Sequence, residues 1–292
     1  MSFVSIGFPP ATGPTPPPPG GGDPIETTFP SSAVYTVGAG KDYETLHDGL
    51  VHISTDLIGS QGSVTFMLDS GVQTLCPTGY VGVPNPSMGG TVMYPLDGKN
   101  IFVASATGDG SICSIEVADN LVDSSIVFML AGGTLAFMEI GYKNLSTANG
   151  VADFYGFNSS VILGDTFETN GLTLMYNSNL DARTAIKPLT GGTGQLMIML
   201  QGTSTFNGQG TVLTSGAMVG FGPGSRAFLD DITVTDTAGM YFSMSEGSQV
   251  HFKNSPFTAG SNHGTSLEAS KVNVVLPFNT MLTVDNLAMT IA

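Results

Sequence analysis

Between Gly216 and Ala259 one pattern of polar and apolar positions is written twice. Gly224-Ser225-Arg226-Ala227-Phe228-Leu229-Asp230-Asp231 returns 23 residues later as Gly247-Ser248-Gln249-Val250-His251-Phe252-Lys253-Asn254. The shared form is small, hydroxyl, any, apolar, any, apolar, any, then Asp or Asn. Side chains alternate across a strand, so the two apolar positions face inward together and the closing Asp or Asn marks a turn. The form also fits Asn158 to Asp165 and Asn279 to Asn286, and looser copies begin at Gly133, Asn177 and Gly202. The copies therefore start at 133, 158, 177, 202, 224, 247 and 279, in steps of 19 to 32 residues. Repeats of that length mark stacked coils. The pattern predicts an all-β chain wound as a right-handed parallel β-helix. An antiparallel sandwich, with strands about every 8 to 12 residues, is the competing architecture.

Ahead of the repeats, Val34 to Val37 reads as a strand and Gly38-Ala39-Gly40-Lys41 as a turn. That turn is not a phosphate loop, because the first Gly of GxxxxGK[ST] is missing and Asp42 follows the Lys. Asp42 reads as an N-cap with Glu44 in the first turn, and Leu46, Leu50, Ile53 and Leu57 form the stripe of an amphipathic helix. Val64, Phe66 and Leu68 alternate, and a Gly/Pro-rich excursion from Pro77 to Gly90 reads as a long projecting loop. Strands are expected around Ile101 to Ala104, Ile112 to Val117 and Ile126 to Leu130. Alternation returns at Val272, Val274, Leu276 and Phe278, and at Leu287, Met289 and Ile291.

Residues 1–31 differ from all of this. Met1 to Phe8 is apolar at Phe3, Val4, Ile6 and Phe8, and Pro9 to Pro24 is a Pro/Gly/Thr tract. Such a tract cannot pack a core and forms an extended polyproline spacer. Two fates are open to it, a disordered tail or an arm that docks, and the apolar octet favours docking. The chain then divides into an arm (1–31), a strand with a capping helix (32–60) and the solenoid (61–292).

Composition narrows the function. Thirty-nine Gly and 17 Pro suit short strands and tight turns, while only 11% of residues are charged against 41% hydrophobic. Ser, Thr, Asn and Gly must then cover the surface with apolar area left over for burial against other subunits. The net charge is −15, and the eight Lys and Arg are scattered singly, so no cationic cluster offers phosphate a site and nucleic acid is not expected as a partner. Cys76 and Cys113 read as two buried free thiols made in a reducing cytoplasm, a single bridge being the alternative. No apolar run reaches the ~18 residues of a membrane span, and the N-terminus lacks a signal-peptide pattern, so neither export nor membrane insertion is expected.

A helix ahead of stacked coils has a physical task, since the first coil exposes core at its open end. Val37-Gly-Ala-Gly-Lys-Asp-Tyr-Glu-Thr-Leu-His-Asp-Gly-Leu50 resembles the opening of pectin-lyase-like β-helix proteins, above all phage tailspikes and other virion proteins. The resemblance spans about 20 residues, the rest matching only in coil rhythm. It implies a homotrimer in a phage particle, made in the host cytoplasm. Its partners would be other virion proteins, of the tail or baseplate or the major capsid protein, and a host-surface glycan or protein.

Catalytic chemistry is thinly represented. A glycosidase needs two carboxylates on one groove, but Asp230 and Asp231 are adjacent and face opposite ways on a strand. A lyase needs clustered Asp beside a basic residue, and Arg183 has only Asp181 near it. His47, His52, His251 and His263 show no metal-binding spacing, and no GxSxG elbow occurs. No catalytic residue, metal or cofactor is expected. The expected function is a tail or baseplate appendage anchored through Phe3, Val4, Ile6 and Phe8. The alternatives are a capsid decoration or head-fibre protein and, in another class, a polysaccharide lyase or hydrolase. Deleting residues 1–24 is expected to leave melting and sedimentation unchanged while the truncated protein no longer joins the particle.

Overall fold

The computed structural model describes residues 32–56, 62–85, 90–182, 186–187, 197–210, 212–214, 218–230, 233–236, 241–244, 248–253, 257–259 and 281–285. Strands dominate, and every pairing among the described strands is parallel except one hairpin. From Ser63 onward the chain visits three sheets in rotation. Asn100–Ser105 lies in the first sheet, Cys113–Val117 in the second and Ile126–Ala131 in the third, and Thr134–Phe137 then returns to pair with Asn100–Ser105. The first sheet has ten strands, from Ala33–Val37 to Met281–Asp285. The second has five, from Gly71–Leu75 to Ile186–Lys187, and a three-stranded sheet (Val212–Thr214, Thr233–Asp236, Phe257–Ala259) takes its place in the later circuits. The third has eight, from Val83–Asn85 to Tyr241–Met244.

All seven copies of the sequence pattern fall on the first sheet, one per strand from Thr134–Phe137 to Met281–Asp285. Their apolar positions stack in register: Leu135 on Val161, Leu180, Phe206 and Ala227, all buried. Side chains of all three sheets form one continuous core, exemplified by Leu135, Ile115 and Phe128. The small position of the pattern is a left-handed corner, with φ 47° at Asn158, 49° at Asn177 and 80° at Gly224, a conformation that favours Gly and Asn. The hydroxyl position is a buried serine. Ser178 Oγ donates to the Tyr176 carbonyl and accepts from Ser159 N–H, while Ser204 Oγ donates to the Gln201 carbonyl and accepts from Ser178 N–H. These two circuits thus each satisfy a backbone N–H of the one before.

Two of the looser copies are corrected by one residue. Pairing aligns Gly133 and Ser204, not Thr134 and Thr203, with the serine position. Gly133 sits there because a Cβ would lie 2.1 Å from the Lys99 carbonyl oxygen. At the other corner the left-handed residue is Gly202, and the extra Thr203 donates its N–H to Asn177 Oδ1.

The helix is Leu46–Val51, continued by a π-helical turn at His52–Asp56. Its N-cap is Thr45, not Asp42: Thr45 Oγ1 accepts from Asp48 N–H and donates to Asp48 Oδ2. Asp42 is used earlier, its carboxylate accepting from the Thr36 N–H and hydroxyl and so closing the glycine turn onto the first strand. Leu46, Leu50 and Ile53 are buried in the main core; Leu57 lies outside the described residues. The helix crosses the open end. Leu46 N–H donates to Gln73 of the second sheet, His47 bonds Tyr94 of the third, and Gly49 packs so close to Phe66 of the first that a Cβ would lie 2.6 Å from its ring.

In its described residues, 77–85 and 90, the excursion from Pro77 to Gly90 is not a projecting loop. Val83–Asn85 folds back antiparallel on Gly90–Pro95, Tyr80 Oη donates to the Met93 carbonyl, and the Tyr80 ring stacks on Tyr94. Cys76 and Cys113 are free and buried. Gly71 pairs with Cys113 and Leu75 with Val117, which puts Cys76 about 16 Å along the strands from Cys113, beyond disulfide reach. The arm with Phe3, Val4, Ile6 and Phe8, together with Arg183, Asp231 and the alternating segments near 272–278 and 287–291, lies outside the described residues.

Leu229→Asp is expected to cost about 3 kcal/mol or more in urea denaturation, because it places a carboxylate without a partner in a buried row. Arg226→Ala and Gln209→Ala, at exposed positions of the same sheet, should stay within about 0.5 kcal/mol of wild type. Equal losses in both sets would show that the inward row is misassigned.

Candidate functional site

The three sheets present different outer surfaces. On the second sheet Glu116, Lys143, Glu168 and Lys187 stand side by side on successive strands, an alternating ladder that includes a Lys187–Glu168 ion pair. Its energetic worth is small, but its chemistry is that of a solvated face. The outer surface of the first sheet is polar in its middle strands, with exposed Asn207 and Arg226 beside the half-buried Asp181 and Asp230 and a half-exposed Phe228.

The third sheet is different. Its eight strands contain one charged residue, Asp153, and that side chain is 0% exposed. The inner positions Met175, Ile198 and Leu200 are buried in the core, whereas the alternate positions Leu172, Leu174, Tyr176, Met197 and Met199 are only half-buried. The outer rows are apolar along the stack: Met129, Tyr155, Leu174 and Met199 pair in sequence, as do Ala131, Phe157 and Tyr176. Tyr155, Phe157 and Tyr176 form an aromatic cluster, Phe157 and Tyr176 being stacked at 5.0 Å. Burial, reinforced by Tyr176, pushes the Tyr155 hydroxyl up to about 12. Val92, Ile126 and Ala152 extend the same apolar surface as a separate buried cluster against which Met129, Tyr155 and Leu172 pack.

Asp153 belongs to a stacked irregularity. Ile126 pairs with Val92 and with Ala152, and Phe128 with Tyr94 and with Phe154, so Met93, Val127 and Asp153 each occupy the same intervening position. In the next strand that residue is missing: Ala152 pairs with Leu172 and Phe154 with Thr173. The Asp153 carboxylate enters the space this leaves, where a Cβ on Gly171 would lie 2.4 Å from Oδ2. Tyr142 Oη and Asn144 Nδ2 donate to Oδ1, both at 2.7 Å, and Thr169 Oγ1 donates to Oδ2 at 2.6 Å. Burial raises the carboxyl to about 6 against the three hydrogen bonds that lower it. Sealed from solvent, it joins three strands and cannot reach a substrate.

A second buried group lies under the helix. Tyr94 Oη accepts from Cys76 N–H and bonds His47 Nδ1 at 2.7 Å. Burial lowers the imidazole's pKa, opposed by Asp48, and pushes the Cys76 thiol up to about 12, the opposite of an activated nucleophile. His52 bonds Tyr43 instead, so the helix histidines do not converge. Among the described residues no group of three or more His, Cys, Asp or Glu is placed to hold a metal ion, and no helix is long and apolar enough to cross a membrane. Register puts Asp181 and Asp230 two strands and two residues apart, about 12 Å, wider than a hydrolase carboxylate pair.

The apolar face was legible in one respect: Ile126-Val-Phe-Met-Leu130 and Leu172-Thr-Leu-Met-Tyr176 lack the alternation of the first sheet, as strands covered on both sides do. The chain matches no protein-family model, and comparisons with curated proteins and with solved structures find no match.

Asp153 gives a defined pH dependence. Its folded pKa of about 6 lies above the ordinary 3.8, so the folded state holds the proton more tightly and stability from this group falls as pH rises from 3.8 through 6. Of its three donors only Tyr142 titrates, far above that range. Melting curves of wild type minus Asp153→Asn should therefore show wild type losing up to about 3 kcal/mol relative to the variant between acid and neutral pH. A flat difference would refute the assignment.

Proposed function

We propose that the chain is a right-handed parallel β-helix that serves as a structural protein of a bacteriophage particle, a homotrimeric tail or baseplate appendage held by its N-terminal arm. The observation that carries this reading is the rotation of the chain through three parallel sheets behind a helix that crosses the first coil. Each circuit is a crossover between parallel strands of one sheet, and such crossovers are right-handed in about 98% of cases. Placement on a phage rests on the resemblance of residues 37–50. A structural task suits the buried chemistry, since Asp153, Tyr94 and Cys76 hold strands together and face no solvent.

Antibody labelling of particles in the electron microscope tests the placement: label at the tail supports the appendage, label over the shell means a decoration protein, and no label overturns the virion reading. Incubation with capsular or O-antigen polysaccharide tests the structural role. New reducing ends or unsaturated products would make the protein a depolymerase.

A further inference from the structure

We infer that the outer face of the third sheet is where copies of this chain meet, with Tyr155, Phe157 and Tyr176 as its anchor and Leu174 and Met199 beside them. The inference rests on the homotrimer of the preceding reading and names the surface that makes it.

The argument is one of charge under symmetry. In a side-by-side trimer the residues nearest the axis meet their own counterparts, so any charge there faces its like in a drying contact. The chain carries −15; the second sheet bears a charged outer row from Glu116 to Lys187, and the later strands of the first carry Asp181, Arg226 and Asp230 in three separate rows. The third sheet can meet itself along its whole described stack without that cost, because its one carboxylate is sealed inside, whereas the first sheet is free of charge only over its first five strands. The row Met129, Tyr155, Leu174, Met199 runs along the stack without interruption, beside Ala131, Phe157 and Tyr176. The residue types fit: Tyr and Phe supply area at low entropy cost, and Met adapts to a counterpart. Tyr155 and Tyr176 keep polar tips that suit the rim of such a contact.

The test is sedimentation velocity of the full chain across a concentration series, with circular dichroism to verify folding. Wild type should be a trimer. Leu174→Lys and Met199→Lys, at half-buried outer positions, should raise the concentration needed for association by about a hundredfold or more. Phe228→Lys, equally disruptive in kind but on the first sheet, should remain trimeric. As a check independent of those variants, oxidised Leu174→Cys should give an interchain disulfide on a non-reducing gel and Phe228→Cys none. Trimers that survive both lysine variants while folded, or cross-linking through position 228 and not 174, would overturn the inference and leave the homotrimer standing. A monomeric wild type at every concentration would instead overturn the homotrimer itself. Dissociation on deleting residues 1–24 but not with Leu174→Lys would assign the contact to the arm and also overturn the inference.

Discussion

Because successive circuits pair parallel and in register, each side chain stands on its counterpart one circuit earlier, and every row must be compatible with itself. The rest of the molecule follows from that constraint. Apolar residues stacked on apolar residues make the interior row Leu135, Val161, Leu180, Phe206, Ala227. Serine works in a row because its hydroxyl donates within its own corner and accepts from the preceding circuit. Charge tolerates stacking only by alternating sign, as from Glu116 to Lys187. Rings tolerate it by offset stacking, as in Tyr94, Phe128 and Phe154 at 5.5 and 5.6 Å.

Where the constraint lapses, polar chemistry appears inside. Three strands of the third sheet carry an extra residue and the fourth does not, so the last of the three has no counterpart to rest on. An apolar side chain there would press against the Thr169 hydroxyl and the Asn144 amide. A carboxylate accepts hydrogen bonds from both and from Tyr142, exchanging a desolvation cost for three bonds and the alignment of neighbouring strands. The helix solves the other lapse, the first circuit, which has no predecessor. Leu46, Leu50 and Ile53 cover the row ends, while Gln73 accepts the Leu46 N–H at the helix start and His47 bonds the buried Tyr94 hydroxyl.

The contrast among outer faces bears most directly on function. One is a solvated charge ladder, one is polar in its middle strands, and one is uncharged and rich in Met and Tyr. The third is the surface we propose for a partner that shares its chemistry.

Much of the fold was legible in the residues alone. The spaced small-hydroxyl-apolar form located seven strands of the first sheet, because corners such as those at Asn158, Asn177 and Gly224 need a left-handed residue followed by a buried hydroxyl. The helix stripe was equally plain at Leu46, Leu50 and Ile53. Boundaries were less so: Asp42 and Thr45 are both competent caps, and only the closure of the glycine turn onto Thr36 decides between them. The copies at 133 and 202 were misregistered by one because a Gly-Gly corner and a Gly-Thr-Ser corner are both long enough to hide a residue, and pairing with the neighbouring circuit alone counts it. The site was barely legible. Local order along Leu172-Thr-Leu-Met-Tyr176 says that both sides of the strand are apolar. Only the tertiary winding decides that one side closes the core while the other lies beside Tyr155 and Met199, since these residues come from three different circuits. Asp153 follows the same rule: in the sequence it is one acid in an apolar run, and its partners at 142, 144 and 169 meet only when the circuits stack.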